Sequence, residues 1–431
     1  MTDLEPRPDL RHPQRTEPVV YRIRVDLDDA QPAIWRLIDL RSDLTLDVVH
    51  QALQAAFDWT DSHLHCFSLG GSPFDAGSQS FLCSFDLEEE EGVAAEVTRL
   101  DETLTEPGDV LHYVYDYGDN WKLTLRLEEV LPADGGGRSA VVVDGERAAP
   151  PEDCGHRVDA ESLAEVLPNP ALFELERINT ALRGPYFVLW EAGIDARLID
   201  LVYRLTYSPL GDELSQTALS LASESEPPDT ATMASNLRAF QWYLDRAADG
   251  GIALTSAGYL KPADVEEAAK VVPTMRDWLS YGKNNREASS LPLLEFRQQL
   301  QSLGLLRKSK GTLLLTKAGQ AARRDITVLW RHLASRLVPQ SGDDFNVQAI
   351  LLTLAYAAAN PNANLPWDKV TGLLYELGWR HPDGRSVAAA ELRHLPLFTI
   401  LVNVTDQPVT WRRRDVVSPV AAALARAALR G

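Results

Sequence analysis

The chain has 431 residues, 45% of them hydrophobic and 24% charged, and a formal net charge of −20. That length suits two or three domains with ample cores. No apolar run approaches the roughly 18 residues needed to span a bilayer, so no membrane partner is expected. Three cysteines, Cys66, Cys83 and Cys154, are too few and too scattered for a disulfide framework or a CxxC zinc site. A reducing cytoplasm is the expected location.

The charge is unevenly spread. Residues 236–431 hold 25 Lys+Arg against 17 Asp+Glu, a balance of +8, which leaves −28 for residues 1–235. Phosphates repel the acidic first half, which is suited instead to a basic protein partner. The mildly basic second half is compatible with duplex DNA.

Residues 1–18 are polar and Pro-rich without an apolar core, and are expected to form a disordered lead-in rather than a signal peptide. A first domain is expected over 19–221. Residues 19–28 alternate strictly, with Tyr21, Ile23, Val25 and Leu27 on one face, and predict a half-buried strand. Residues 33–40 predict a second strand after the breaker Gln31-Pro32. In 45–57, Leu46, Val49, Leu53 and Phe57 form one helical stripe. Residues 63–69 predict a third strand, and 86–92 an acidic loop.

Residues 111–130, LHYVYDYGDNWKLTLRLEEV, predict a hairpin. Leu111, Tyr113, Tyr115 and Tyr117 alternate on one arm, and Trp121, Leu123, Leu125 and Leu127 on the other. A three-residue loop, Gly118-Asp119-Asn120, lines up both apolar rows by pairing Tyr117 with Trp121. It also sets Asp116 opposite Lys122, as a cross-strand ion pair or a carboxylate at a functional loop. Residues 132–155 are read as loop, including Gly135-Gly136-Gly137, which has no phosphate-loop context. Helices follow from 160 to about 207.

The run Tyr115-Asp116-Tyr117-Gly118-Asp119-Asn120-Trp121 resembles the signature of the plasmid pRiA-four-b ORF-three-like family. Three further pieces agree in order: Ile34-Trp35-Arg36, Trp59-Thr60-Asp61-Ser62-His63-Leu64-His65-Cys66-Phe67, and Pro150-Pro151-Glu152-Asp153-Cys154-Gly155. Together they span roughly residues 19–180. The resemblance implies an α+β fold and a link to plasmids and transposable elements, with no established activity. Two positions depart from the family pattern. Leu123 stands where members often carry His, and His156 where they often carry a second Gly.

His63 and His65 are two apart in a predicted strand, so both imidazoles are expected on one face. With Asp116, Glu152, Asp153 or Cys154, all far along the chain, they make weak candidates for a metal site. Phe67 and Leu69 share that face and favour semi-buried, hydrogen-bonded histidines instead, so no metal or other cofactor is expected.

Residues 222–230, ASESEPPDT, read as a linker, followed by domains at 231–340 and 341–431. Leu-Thr-x-Ala-Gly occurs at 254–258 and at 315–319, each time as strand residues leading into a helix. A helix over 291–303, a strand at 304–308, a basic turn at 309–311 and a strand at 313–315 resemble a winged-helix unit. The helix is expected to present Arg297, Gln298, Gln299 and Gln301 outward toward base edges. Arg307, Lys308 and Lys310 are expected on the wing, toward phosphates. Helices over 345–359, 369–377 and 416–429 complete the chain.

The expected class is therefore α+β. A mainly antiparallel sheet with helices on one face is followed by a mainly helical, winged-helix-like half. Three functions are open: a non-enzymatic accessory or regulatory protein of a mobile element that binds DNA through its second half, an interaction scaffold without nucleic acid, and a metal-dependent hydrolase or nuclease using His63, His65 and nearby carboxylates. No GxSxG, HExxH or Walker motif is present.

Overall fold

The computed structural model describes residues 8–73, 75, 77–88, 92–133, 138–275, 285–339 and 344–430. Part of the acidic loop and the Gly135–Gly137 run lie outside these residues. The chain forms two compact units, Met1–Phe187 and Val188–Gly431.

The first unit is built on an eight-stranded sheet. Its strands are β1 (Val19–Leu27), β2 (Trp35–Arg41), β3 (His65–Leu69), β4 (Gln79–Leu82), β5 (Val93–Ala94), β6 (Val110–Tyr115), β7 (Trp121–Pro132) and β8 (Ala140–Glu146). They lie in the order β5-β4-β3-β6-β7-β1-β2-β8, antiparallel except for the β4–β5 pair. Alternation explains β1: Tyr21, Ile23 and Val25 are fully buried while Arg22, Arg24 and Asp26 are only partly covered. The helix α1 (Leu46–Phe57) buries the expected stripe of Leu46, Val49, Leu53 and Phe57, and His50 and Gln54 with it. It ends at Asp58, whose φ of 59° breaks the helical path.

Three expectations are corrected in this unit. Residues 8–18 are not a loose lead-in where they are described. Leu10 N–H donates to Gln79, His12 N–H to the Glu102 carbonyl at 2.8 Å, and Arg15 Nε to the Tyr21 hydroxyl at 2.8 Å. Residues 140–146 are a strand, not loop: β8 pairs with β2, and its Val-rich start was the signal. The hairpin register is Tyr115 opposite Trp121, Tyr113 opposite Leu123 and Leu111 opposite Leu125. The loop is therefore Asp116–Asn120. The register moves by two, so the apolar rows still meet, but Tyr117 leaves the strand and is exposed. Lys122 faces Val114, so no Asp116–Lys122 pair forms.

The second unit is mainly helical. The helix Asp344–Ala359 is buried almost all round from Ala349 to Ala357, so it must be surrounded. It packs against Ala196–Arg204, Pro209–Leu219, Trp367–Glu376 and Pro419–Ala428. The compact division thus falls at 187/188, and the helices between 188 and 221 join the second unit rather than the first. Residues 231–340 and 341–431 share this unit. The segment 222–230 is not a free linker at its start, because Arg430 donates to the carbonyls of Leu221, Ala222 and Ser223.

Within this unit β9 (Ile252–Ala253), β10 (Leu306–Ser309) and β11 (Thr312–Leu315) form a small sheet in the order β10-β11-β9. Along the chain the helix Arg238–Arg246 precedes β9, and the helices Pro262–Val271 and Leu291–Ser302 lie between β9 and β10. The repeated Leu-Thr-x-Ala-Gly motif diverges. Thr316 caps the helix Lys317–Arg324 by accepting from Gly319 N–H, whereas Thr255 closes a turn to Tyr259. No helix among the described residues is long and apolar enough to cross a membrane.

Candidate functional site

In the first unit three loops meet at one end of the sheet: 58–64 after α1, 116–120 in the hairpin, and 150–157. Each carries one of the motifs singled out in the sequence. Trp59 is nearly buried, stacked between Phe57 at 5.2 Å and Tyr115 at 5.1 Å, and its Nε1 donates to the Pro150 carbonyl at 2.9 Å. Pro151 follows at that junction. Glu152 accepts from Thr60 N–H at 3.0 Å, from the Thr60 hydroxyl, and from the Tyr115 hydroxyl. Burial alone would raise the Glu152 carboxyl, but those hydrogen bonds outweigh it and hold the carboxyl below its ordinary range. The Tyr115 hydroxyl is pushed up by burial and by Glu152. Asp119 accepts from Gly155 N–H at 2.9 Å. His156 stands with φ of 51°, a geometry that explains why glycine suits this position, and its ring stacks on Trp121 at 5.3 Å.

Trp35 and Arg36 lie apart from this junction. Arg36 is buried between Phe57 and Phe173 and donates to the Ala56, Trp35 and Glu146 carbonyls. Burial lowers its guanidinium to about 10, still cationic at neutral pH. Trp35 pairs with Arg24 and donates to Glu146. Burial raises the Cys154 thiol.

The two histidines do not share a site. His65 on β3 points inward and stacks on His50, with ring centroids 3.5 Å apart and planes within 8°. His50 Nδ1 lies 2.8 Å from the Tyr113 hydroxyl and Nε2 2.7 Å from Asp61, while Gln54 donates to the same hydroxyl at 3.1 Å. Burial, and then the neighbouring His50, hold His65 well below its ordinary range, so it is neutral. Burial likewise pushes Tyr113 well up. His50 was not named in the sequence reading, and Asp61 and Tyr113 were named there only as motif and strand residues, not as a site. The available signal was a His on the inner stripe of α1.

His63 precedes β3 and lies in a different cluster. Its Nε2 is 3.2 Å from Asp153 Oδ1 and 3.6 Å from Asp116 Oδ2. Asp116, with φ of 55°, accepts from Gly118 N–H at 2.9 Å and Asp119 N–H at 3.2 Å through Oδ1. Of the six metal candidates, His63, Asp116 and Asp153 come together. His65 and Glu152 are engaged elsewhere. One imidazole and two carboxylates, of which only Asp153 is well exposed, can hold a cation.

Residues 19–192 match the family model described as Plasmid pRiA4b ORF-3-like protein. An uncharacterized protein, y4hQ, of Sinorhizobium fredii is 30% identical over 157 residues, covering 35% of this chain and 75% of that relative. The chain belongs to the plasmid pRiA4b ORF-3-like family. A crystal structure of a protein of unknown function from Methanosarcina mazei Go1 is similar at 27% identity and a TM-score of 0.32, over 38% of this chain and 98% of that one. Residues 232–327 match a second model, described as Y4jL N-terminal domain. In this family member the three loops are tied to one another at the junction: Trp59 stacks on Tyr115, Tyr115 donates to Glu152, and Asp119 accepts from Gly155 N–H.

In the second unit the helix Leu291–Ser302 does not present Arg297 outward. The Arg297 side chain is 5% exposed, and its guanidinium forms two hydrogen bonds to the fully buried Glu287. Gln298 is exposed, while Gln299 and Gln301 are half-buried. A flank of this helix packs against Pro396–Val402. Arg307, Lys308 and Lys310 are exposed on the β10–β11 hairpin, as expected. Arg307 also lines a hollow of about 400 Å³ with Gln320, Arg323 and Arg324, a grouping the sequence reading missed.

Proposed function

We propose that this protein is a non-enzymatic accessory or regulatory protein of a mobile element, and that its second unit holds duplex DNA by the phosphates. The observation that carries this reading is the stretch from Arg307 to Arg324. It has six cations, Arg307, Lys308, Lys310, Lys317, Arg323 and Arg324, and no carboxylate, in a chain of net charge −20. All six are exposed, and three converge on one hollow. The chain order helix, strand, two helices, two strands and the sheet order β10-β11-β9 are compatible with a winged-helix arrangement, which supports the same reading.

The contacts are assigned to phosphates rather than base edges. Arg297 is consumed by Glu287, and of the proposed readers only Gln298 is exposed. Such binding is insensitive to sequence and falls with salt. The test is titration of the full chain with unrelated duplexes of equal length. Binding is expected at low ionic strength, with a salt slope of about −0.9 per neutralised phosphate and similar affinity for each duplex. Reversal of Arg307 and Arg324 to Glu should weaken every duplex alike. Absence of binding at low salt would overturn the reading in favour of an interaction scaffold.

A further inference from the structure

We propose that His63, Asp116 and Asp153 form a binding site for one divalent first-row transition-metal cation. The proposal is independent of the DNA reading, since it concerns the first unit alone.

The three donors come from three loops that the fold brings together. His63 Nε2, Asp116 Oδ2 and Asp153 Oδ1 lie 3.2 Å and 3.6 Å apart along the two contacts to the imidazole, and all within 4.8 Å of one another. Nitrogen and oxygen ligands each about 2.0–2.2 Å from a shared ion stand at such separations from their neighbours. The contacts are not already hydrogen bonds. Nε2 is sealed from solvent yet makes no hydrogen bond among the described residues, although two carboxylates are near. A nitrogen in that position gains a partner when an ion sits between it and the oxygens.

The carboxylates are held for this arrangement. Asp116 is almost buried, and its Oδ1 accepts from the Gly118 and Asp119 amides. That leaves Oδ2 toward His63, as backbone donors orient a metal-ligating carboxylate. Asp116 and Asp153 both stand in left-handed backbone geometry, with φ of 55° and 56°. Asp153 follows the stiff pair Pro150-Pro151, and the neighbouring Glu152 ties its loop to Thr60. One imidazole with two carboxylates suits manganese, zinc or ferrous iron better than soft cuprous ion, and the imidazole disfavours calcium.

The neighbouring group of His50, Asp61 and His65 does not fit an ion in the same way. Its two imidazoles are stacked nearly parallel, so their in-plane lone pairs run side by side rather than converging. His50 is also committed at both nitrogens.

The experiment uses the full chain, freed of metal by chelator, and titrates it with manganese or zinc chloride by calorimetry. One saturable site per chain is expected. Asp153→Asn and His63→Gln should each weaken that site by at least about tenfold. Asp153 is 77% exposed, and Asn accepts the same backbone geometry, so this variant remains folded and decides the matter if His63→Gln does not. Manganese should also broaden the proton signals of the His63 ring in the wild type, but not in Asp153→Asn. Absence of saturable binding overturns the proposal. So does a site that survives Asp153→Asn unchanged, including one that is lost on His50→Gln.

Discussion

The β6–β7 hairpin of the first unit turns through Asp116–Asn120, whereas the β10–β11 hairpin of the second turns through Lys310 and Gly311 alone. In the short turn both residues have positive φ, 47° and 75°, the geometry of a type I′ connection. Its backbone twist matches that of the flanking strands, so the turn needs little help from elsewhere. The long turn is different. Asp116 folds its side chain onto the amides of Gly118 and Asp119, and its own N–H donates to the Leu64 carbonyl at 3.0 Å. Trp121 at its exit is fully buried, beside Trp59 and His156. One hairpin is set by two residues of local chemistry, and the other by loops distant in the chain.

The largest expected effect tests the second of these. Trp121→Ala should cost about 3–5 kcal/mol in urea unfolding, because the ring is buried among aromatic partners from two other loops. A loss under about 1 kcal/mol would show that the stack does not hold the hairpin.

Asp116→Ala should cost about 1–3 kcal/mol, since two amide donors lose their acceptor. Asp116→Asn should cost less, because Asn keeps a carbonyl acceptor and tolerates positive φ. Equal losses for the two variants would mean that charge, rather than the turn, is what Asp116 supplies.

In the short turn, Gly311→Ala should cost about 1–2 kcal/mol from the backbone alone. A negligible change would show that this hairpin too is imposed from outside.

The two regions should also differ in pH response. His65 lies behind the long hairpin with its pKa depressed by burial. It stays neutral in the fold, while the unfolded chain takes up its proton as pH falls below about 6.5. Stability of the first unit should therefore be unaffected by this group above that pH. Below it, this group should lower stability by at most about 1.4 kcal/mol per pH unit. His65→Phe should remove that slope, as read from urea midpoints between pH 7 and pH 5. The smallest effect belongs to the tip of the β10–β11 hairpin. Lys310→Glu is exposed and should change stability by no more than about 0.5 kcal/mol.

Residue pattern by itself determined the elements whose information is local. The alternation of Tyr21, Ile23, Val25 and Leu27 placed β1, and the stripe of Leu46, Val49, Leu53 and Phe57 placed α1, because each element buries one face. The ordered motifs also placed the chain in its family, and the basic residues of the β10–β11 hairpin were legible as exposed charges. Only tertiary structure decided how far Tyr115 and Trp121 stand apart in the hairpin, since any even shift keeps both apolar rows facing. It sent His65 inward to His50 and left His63 outside with Asp116 and Asp153, because the strand begins at His65 and not before. It turned Arg297 away from solvent, because the buried Glu287 carboxylate ten residues earlier requires a cation beside it. Partners such as these are fixed by where the chain returns in space, which the spacing of residues along it does not record.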